Sequence, residues 1–357
     1  MTCSWKPNWP ETRQHFIDWW AHRGLVLGTF WPPQLEVARE GVVAPPPVSL
    51  EEGVTNADHR ARINHSILSR QSFCGDALPM ANMDIGPGSL ALYLGSEPTL
   101  TPETVWFNPL PDHLERSTPI RFDPENHWWK TSEASLRAGM QMSAGRYLVG
   151  CPDLVENLDI LSSLRGLDFL LEDLIDRPGW VTDRLAEINA AWFEVYQHVY
   201  DIIHEEDGSS AFNAFILWGP GKTAKLQCDF SALISPRMFK KFVVPVLTEQ
   251  CAWLDHSMYH LDGSHCLGHL DLLLEIEGLD AIEWTPNPTV PPGGSPEWYP
   301  MYRKILAAGK SVQAIGIRPD EVLPLLDAVG GHGMYLHVDF ETQDDYERVY
   351  RQVEAYR

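Results

Sequence analysis

The second half of the chain alternates short apolar segments with longer segments whose apolar residues recur at helical spacing. The short segments predict strands at 211–218, 257–262, 279–284, 311–317 and 334–340. The longer ones predict helices at 235–256, 265–276, 296–308 and 319–328, followed by a last helix to residue 357. Ser235 and Pro236 are typical of an N-cap and a first helical position. Strands separated by helices in this way predict a parallel sheet built from βα units.

The first half supplies further strand candidates, "GLVLGTFW", "ALPMANMD" and "RYLVG", among longer helical stretches such as 178–205. The total of about eight strands is the number that closes a (β/α)8 TIM barrel. We therefore expect an α/β fold in which residues 76–357 form the barrel. Residues 1–75, which include the Pro-rich stretch 32–53, are expected to form an irregular, partly helical N-terminal extension that wraps the barrel.

Barrels of this type carry their active sites at the carboxyl ends of the strands, so the residues at those ends are the candidate site residues. The candidates for catalysis are His260, Asp262, Glu283, His337 and Asp339. The candidates for substrate binding are Trp31, Asp84, Cys151, Asp153, Trp218, Trp284 and Arg318.

The stretch "YHLDGSHCLGHLDLLLEIEGLD" offers two histidine clusters. His260 and Asp262 are two apart on a strand, which predicts that both face the barrel mouth. His265 and His269 are four apart and predicted to share a helix face. The helix pair lacks the Glu of an H-E-x-x-H motif and has no third ligand near it in sequence. We therefore predict that His260 and Asp262 belong to the site and that His265 and His269 bind no catalytic metal.

Charge and cysteine usage exclude several classes of function. The net charge of −22 argues against nucleic acid or an anionic membrane as the main partner. No apolar run is long enough for a membrane span, and the N-terminus lacks a secretory apolar core. Six scattered cysteines without a C-x-x-C pair are typical of a reduced compartment, which predicts a cytoplasmic protein. "WGPGKTAK" fails as a phosphate-binding loop because Ile216 stands where the motif needs glycine.

Several segments carry a resemblance to a known family. The run "DFSALISPRMFKKFVVPVL", followed by "YHLDG", "LDAIEW", "SVQAIGI" and "MYLHVD", resembles the uroporphyrinogen decarboxylase superfamily over residues 75–355. "GDALPMANMDIGPG" and "GCPDLVENLDILSSLRG" look like the versions in its uncharacterised and methyltransferase-like branches. The resemblance implies one TIM barrel with a cleft at the strand carboxyl ends, and it offers two chemistries.

True uroporphyrinogen decarboxylases hold the substrate carboxylates with an Arg-Gln-Ala-Gly-Arg stretch and use an aspartate near the tetrapyrrole nitrogens. The corresponding stretch here, "LPMANMDIGPG", contains no arginine, and only Asp84 could stand for that aspartate. We therefore expect uroporphyrinogen decarboxylation to be absent.

The other branch comprises methyltransferases that move a methyl group between a small substrate and a corrinoid protein. Those acting on thiols bind zinc through His-x-Cys and a later Cys, whereas this chain reads His260-Leu-Asp262 and has no cysteine after Cys266. The departure argues against a sulfur-rich zinc site and leaves open a mixed nitrogen and oxygen site for zinc or another divalent ion on His260 and Asp262. Glu283, His337 and Asp339 would be supporting ligands or the acid–base partner.

Three hypotheses of function follow from the residues and the family resemblance together. The preferred one is a methyltransferase-like enzyme acting on a small molecule, with a corrinoid protein as the methyl carrier. The first alternative is a lyase, decarboxylase or hydrolase that works through paired carboxylates such as Asp262 and Glu283. The second is a non-catalytic protein that holds a flat, tetrapyrrole-like ligand in a tryptophan-lined cleft. A homo-oligomer is compatible with all three.

Overall fold

The computed structural model describes residues 3–102, 104–110, 114 and 119–357. Met1 and Thr2, where the predicted extension begins, lie outside the described residues. No helix in the described part is long and apolar enough to cross a membrane.

Twelve strands lie in the described residues. They are β1 (Leu25–Gly28), β2 (Met80–Ala81), β3 (Glu97–Leu100), β4 (Val105–Asn108), β5 (Leu148–Val149), β6 (Ser210–Phe212), β7 (Leu217–Gly219), β8 (Thr223–Gln227), β9 (His256–Asp262), β10 (Ala281–Thr285), β11 (Ser311–Ile317) and β12 (Met334–Val338).

Fourteen α-helices accompany them within the same residues. They are α1 (Trp9–Trp20), α2 (Leu50–Thr55), α3 (Ala57–Leu68), α4 (Leu90–Tyr93), α5 (His127–Ser143), α6 (Asn157–Arg165), α7 (Leu167–Asp176), α8 (Pro178–Ile203), α9 (Pro236–Phe242), α10 (Val244–Trp253), α11 (Leu270–Leu274), α12 (Tyr299–Ala307), α13 (Val322–Val329) and α14 (Gln343–Val353).

Six strands form the central sheet in the order β1-β12-β11-β10-β9-β8, and every neighbouring pair is parallel. β2 and β5 form a second parallel pair, while β3 with β4 and β6 with β7 are antiparallel. The prediction of an α/β fold with a parallel central sheet is therefore confirmed. Within the described residues the strand pairing does not form one closed ring, so closure into an eight-stranded barrel stays a prediction.

The N-terminal residues take part in the main sheet. β1 pairs with the last strand, β12, and the α1 residue Trp19 donates its indole N–H to the carbonyl of Gly333, just before β12, at 3.1 Å. Phe16 packs edge-on against Tyr335 of β12. Residues 1–75 thus include both a strand of the sheet and a helix packed on it, and the predicted domain boundary between residues 75 and 76 stays a prediction.

The helix predicted over 235–256 begins as expected but is divided. The Ser235 side chain accepts a hydrogen bond from the backbone N–H of Met238, which confirms the N-cap. Pro245 lies in the first turn of α10 and offers no backbone N–H, so the chain forms α9 and α10 instead of one helix. The predicted helix 265–276 is similarly a 3-10 turn over Ser264–His269 followed by the short α11.

The segment predicted as one strand over 211–218 is a hairpin of β6 and β7. Phe215 and Ile216, between its strands, have φ of +61° and +54°, in the left-handed region that bulky residues rarely adopt. The carbonyl of Phe215 accepts a bond from Gln313 at 2.8 Å, and that of Ile216 from Tyr335 at 3.0 Å. Tertiary contacts from two other strands therefore hold a conformation that local preference disfavours.

Candidate metal centre

One row of polar side chains crosses the sheet. The strand register pairs Gln227 of β8 with His260 of β9, His260 with Glu283 of β10, Glu283 with Gln313 of β11, and Gln313 with Tyr335 of β12. Paired residues of parallel strands point to the same face of a sheet, so these five side chains share one face. All five are buried, and each must therefore find a polar partner there.

The centre of the row is a buried histidine–carboxylate pair. His260 Nδ1 hydrogen-bonds Glu283 Oε2, and Thr285 Oγ1 donates to the other carboxylate oxygen at 2.8 Å. The ring of Phe215 lies 4.6 Å from the His260 ring, centroid to centroid. Burial lowers the pKa of His260, but the charge of Glu283 and the bond to it outweigh burial and raise the pKa above its ordinary value.

The other ring nitrogen of His260 faces two carboxylates. Asp229, His260 and Asp262 each offer one ligand atom, and these atoms lie within 4.8 Å of one another. His260 Nε2 is 4.0 Å from Asp229 Oδ1, no longer than two metal–ligand bonds of about 2.0–2.2 Å each, so one ion can reach both atoms. In the described part of the chain this is the one group of three or more His, Cys, Asp or Glu side chains that fits a metal ion.

Asp229 and Asp262 bring two carboxylates together beside the imidazole of His260. Burial and the charge of Asp229 raise the pKa of Asp262, and His260 acts in the opposite direction. Like-charged carboxylates this close favour either a shared proton or a bound cation. Together with the carboxylate on His260 Nδ1, which is the usual outer partner of a metal-bound imidazole, the arrangement suits a divalent ion.

Asp229 was not among the residues predicted for the site. It follows β8, a strand that was not predicted although "TAKLQ" alternates polar and apolar residues, and all five of these residues are buried. Asp159, also not predicted, accepts the backbone N–H groups of Asp229 and Phe230 at 2.8 and 2.7 Å. Burial, and then the charge of Asp229, raise the pKa of Asp159 to about 7.

Three predicted substrate-binding residues form a neighbouring cluster. The Asp153 carboxylate is ion-paired with the buried Lys225 of β8 at 2.7 Å. Asp84 accepts the backbone N–H of Asp153 at 2.9 Å, and burial followed by the charge of Asp153 raises the pKa of Asp84 to about 7. Cys151 is buried, and burial with these two carboxyls raises the pKa of its thiol well above the ordinary value. A thiolate at Cys151 is therefore disfavoured.

His337 and Asp339, predicted as catalytic, do not join the three-residue group. His337 is buried and stacks on Phe30 with ring centroids 4.0 Å apart, and burial lowers its pKa to about 3. Its environment is that of a packed, neutral side chain. Asp339 is exposed beyond the end of β12, where its backbone N–H bonds the carbonyl of Ile317.

The three tryptophans predicted to bind substrate lie in different places. Trp31 is 74% exposed. Trp218 is buried and donates its indole N–H to Glu205 at 3.1 Å. Trp284 follows Glu283 on β10 and therefore points to the opposite face, where it packs against Trp298. None of them lies in the three-residue group.

Arg318 and the two helix histidines also lie apart from this group. Arg318 is exposed and pairs with Glu321 at 2.8 Å. His265 is exposed, whereas His269 is buried, stacks on Phe239 and bonds the Ser231 carbonyl through Nε2 at 3.0 Å. This packing gives His269 a structural role, and the expectation that the pair binds no catalytic metal stays a prediction.

A cavity of about 390 Å³ adjoins the three-residue group, because Asp229 belongs to both. Its polar walls are Asp159, Gln227 and Asp229 with two serines of α6. The other walls are mainly apolar and consist of Pro87, Gly88, Phe107, Val155, Ile160, Leu167, Phe230 and Leu233. Among the described residues no tryptophan, arginine or lysine lines the cavity. The volume is in the range that accommodates a small organic molecule.

Comparison with known proteins identifies a shared fold. No family model and no curated protein matches the sequence. Among solved structures, the chain is similar to a methyltransferase from Methanosarcina mazei, with a TM-score of 0.61 and 12% identity. The similarity covers 97% of this chain and 98% of that one, so the two proteins share one fold over their whole compared length.

Proposed function

We propose that this chain is a methyltransferase-like TIM-barrel enzyme with a divalent metal site formed by Asp229, His260 and Asp262. The observation that carries the proposal is this three-residue group, with atoms within 4.8 Å of one another and a carboxylate on the far nitrogen of the histidine. The name of the structural neighbour supports methyl transfer as the reaction class. Three protein ligands leave a coordination position open, as in catalytic rather than structural sites.

The residues fit a small divalent ion of the kind that accepts both imidazole and carboxylate ligands, such as zinc. A bound ion of this kind polarises a substrate heteroatom or lowers the pKa of a bound water. His260 would bind through Nε2, and Glu283 would accept the Nδ1 proton and hold the ring plane. Asp159 accepts hydrogen bonds from the backbone N–H groups of Asp229 and Phe230. These bonds hold the backbone of the ligand Asp229 at the edge of the cavity.

The cavity beside Asp229 is the proposed substrate site. Its volume of about 390 Å³ suits a small molecule, and its walls combine an apolar lining with a few polar groups at one end. The methyl group would pass between such a substrate and a corrinoid carried by a partner protein, as the family resemblance implies. A cytoplasmic location and a homo-oligomeric state are kept as parts of the proposal, and the six free cysteines are compatible with the former.

The test uses purified protein, metal analysis and a free corrinoid. We expect about one equivalent of a divalent ion per chain, lost in the variants Asp229→Ala and His260→Ala. The wild type, incubated with cob(I)alamin and a panel of small methylated amines, ethers and thioethers, should form methylcobalamin, which is followed by absorbance. Folded wild-type protein that neither binds a divalent ion nor transfers a methyl group would contradict the proposal.

A second candidate, an acid–base lyase or hydrolase, is favoured by Asp159. Its pKa of about 7 and its position in the cavity beside Asp229 suit a general acid paired with an ionised carboxylate. Glu283, which the sequence suggested as one of two paired carboxylates, instead hydrogen-bonds His260 Nδ1. Activity that persists after complete removal of metal and disappears in Asp159→Asn would favour this candidate over methyl transfer.

A further inference from the structure

A buried lysine and glutamine connect the neighbouring Asp153 cluster to the metal centre. Lys225 and Gln227 lie two apart on β8, so their side chains share one face of the strand. The ammonium group of Lys225 is 2.7 and 2.9 Å from the two oxygens of Asp153 and also donates to Gln227 Oε1. Gln227 Nε2 in turn donates to Asp229 Oδ2 at 2.9 Å.

This chain of contacts allows the amide of Gln227 only one orientation. An ammonium group offers donors only, and an ionised carboxylate offers acceptors only. The amide oxygen must therefore face Lys225 and the amide NH2 must face Asp229. A flipped amide would set two donors against each other at one end and two acceptors at the other.

The Gln227 amide binds one oxygen of the Asp229 carboxylate, and the other oxygen faces His260. Gln227 holds Oδ2, so Oδ1 is the oxygen that lies 4.0 Å from His260 Nε2. The Asp229 side chain is 49% exposed, so close packing does not enclose it on all sides. The bond from Gln227 is therefore what keeps the carboxylate turned toward the histidine.

We propose that Lys225 and Gln227 are positioning residues of the metal site: the Asp153–Lys225 ion pair fixes the Gln227 amide, and that amide holds the Asp229 carboxylate in its metal-binding orientation. This inference rests on the proposed function, because it requires Asp229 to be a ligand. Asp153, which the sequence predicted to bind substrate, would instead support the metal site through its ion pair with Lys225.

The experiment measures Zn²⁺ affinity by competition with a chromogenic chelator, in Gln227→Leu and in the double variant Lys225→Met/Asp153→Asn. Each is expected to bind Zn²⁺ about 10- to 100-fold more weakly than the wild type, the usual effect of losing an outer-shell partner. The double variant removes both members of the Asp153–Lys225 ion pair together, so neither is left buried without the other, and it is the second route if Gln227→Leu does not fold. The absorption spectrum of the Co²⁺-substituted proteins should also change, because the ligand geometry changes.

Lys310→Met is the matched control. Lys310 is also buried, and its ammonium group bonds the carbonyls of Ile276 and Leu279 at 2.6 and 2.7 Å, apart from the metal centre. This variant should lose thermal stability and keep wild-type Zn²⁺ affinity and the wild-type Co²⁺ spectrum. A loss of affinity in Lys310→Met as large as that in the test variants would mean that general destabilisation explains the effect, and would overturn the inference.

Two other outcomes separate this inference from the proposed function. If Asp229→Asn weakens Zn²⁺ binding but Gln227→Leu and the double variant bind it as the wild type does, the metal site stands and the positioning role is wrong. If the folded wild type binds neither Zn²⁺ nor Co²⁺, both the metal site and the positioning role are wrong.

Discussion

His260 and Glu283 lie side by side on β9 and β10, and Glu283 accepts a hydrogen bond from the ring nitrogen of His260 that points away from Asp229 and Asp262. The carboxylate thereby fixes the ring so that Nε2 faces the two aspartates. The relationship is that of a metal ligand and its outer partner.

Replacing that carboxylate should weaken metal binding without removing a ligand. We expect Glu283→Gln to lower Zn²⁺ affinity about 10- to 100-fold, because an amide is a poorer partner for the Nδ1 proton than a carboxylate. The measurement is chelator competition at a fixed pH. Thr285→Val, which removes only the bond to the other oxygen of Glu283, is the control and should have a smaller effect. Equal affinities in Glu283→Gln and the wild type would contradict the role assigned to Glu283.

Metal affinity should fall as the pH is lowered. The pKa of His260 is raised above its ordinary value: burial lowers it, but the Glu283 carboxylate outweighs burial. Because the proton on Nε2 must leave before a metal binds, affinity should drop about tenfold per pH unit once the pH lies below that raised pKa. In Glu283→Gln the midpoint should move to lower pH, since the stabilising carboxylate is gone. Zn²⁺ titrations between pH 5.5 and 8.5 check both expectations (the range is roughly centred on the ordinary histidine pKa). A pH-independent affinity would rule out His260 as a ligand.

His337 should make the fold sensitive to acid rather than contribute to the chemistry. Burial lowers its pKa to about 3, so the unfolded chain takes up a proton on this histidine at a higher pH than the folded chain does. The stability due to neutral His337 is complete above the unfolded pKa of about 6.5 and falls by about 1.4 kcal/mol per unit as the pH drops below it. His337→Phe keeps a ring against Phe30. In urea unfolding experiments, the free energy of unfolding of this variant should fall less steeply with decreasing pH than that of the wild type, and the variant should still bind metal. Loss of Zn²⁺ affinity in a folded His337→Phe variant would show that His337 belongs to the metal site after all.

Filling the cavity should block the substrate and spare the metal. Ser162 of α6 lines the cavity, and Ser162→Trp would occupy much of its 390 Å³ or so. We expect at least a tenfold loss of activity toward the methyl donor, mainly through a higher KM, with unchanged Zn²⁺ affinity. Ser66→Trp, on α3 and outside the cavity lining, should retain activity. Wild-type kinetics in Ser162→Trp would place the substrate elsewhere.

Uroporphyrinogen should not be decarboxylated. Its several carboxylates need basic partners, and in the described part of the chain no arginine or lysine lines the cavity beside the metal centre. Each carboxylate buried without a partner costs several kcal/mol, and the net charge of −22 disfavours its approach. Incubation with uroporphyrinogen, followed by chromatography of the porphyrins, should give no coproporphyrin. Turnover at an enzymatic rate would show that arginines from other parts of the chain reach the substrate.

The periodicity of the sequence was sufficient to predict the parallel strands β9 to β12 and the pairing of His260 with Asp262 on one strand face. Both follow from local rules: apolar runs between helical segments indicate βα units, and residues two apart on a strand point the same way. By the same rule, the consecutive residues Glu283 and Trp284 must point to opposite faces of their strand, but the sequence does not say which of them faces the site. In the structure Glu283 faces His260 and Trp284 packs against Trp298.

The third member of the metal centre depended on tertiary structure. Asp229 reaches His260 because β8 pairs with β9 in a register that sets Gln227 beside His260. β8 alternates polar and apolar residues, as a strand with one solvated face would, but its polar residues Lys225 and Gln227 are both buried. Those polar residues can be buried because Asp153, from another segment, and Asp229, two residues after Gln227, accept their hydrogen bonds. Local sequence therefore determined the strands and their faces, while contacts between distant segments decided which side chains meet.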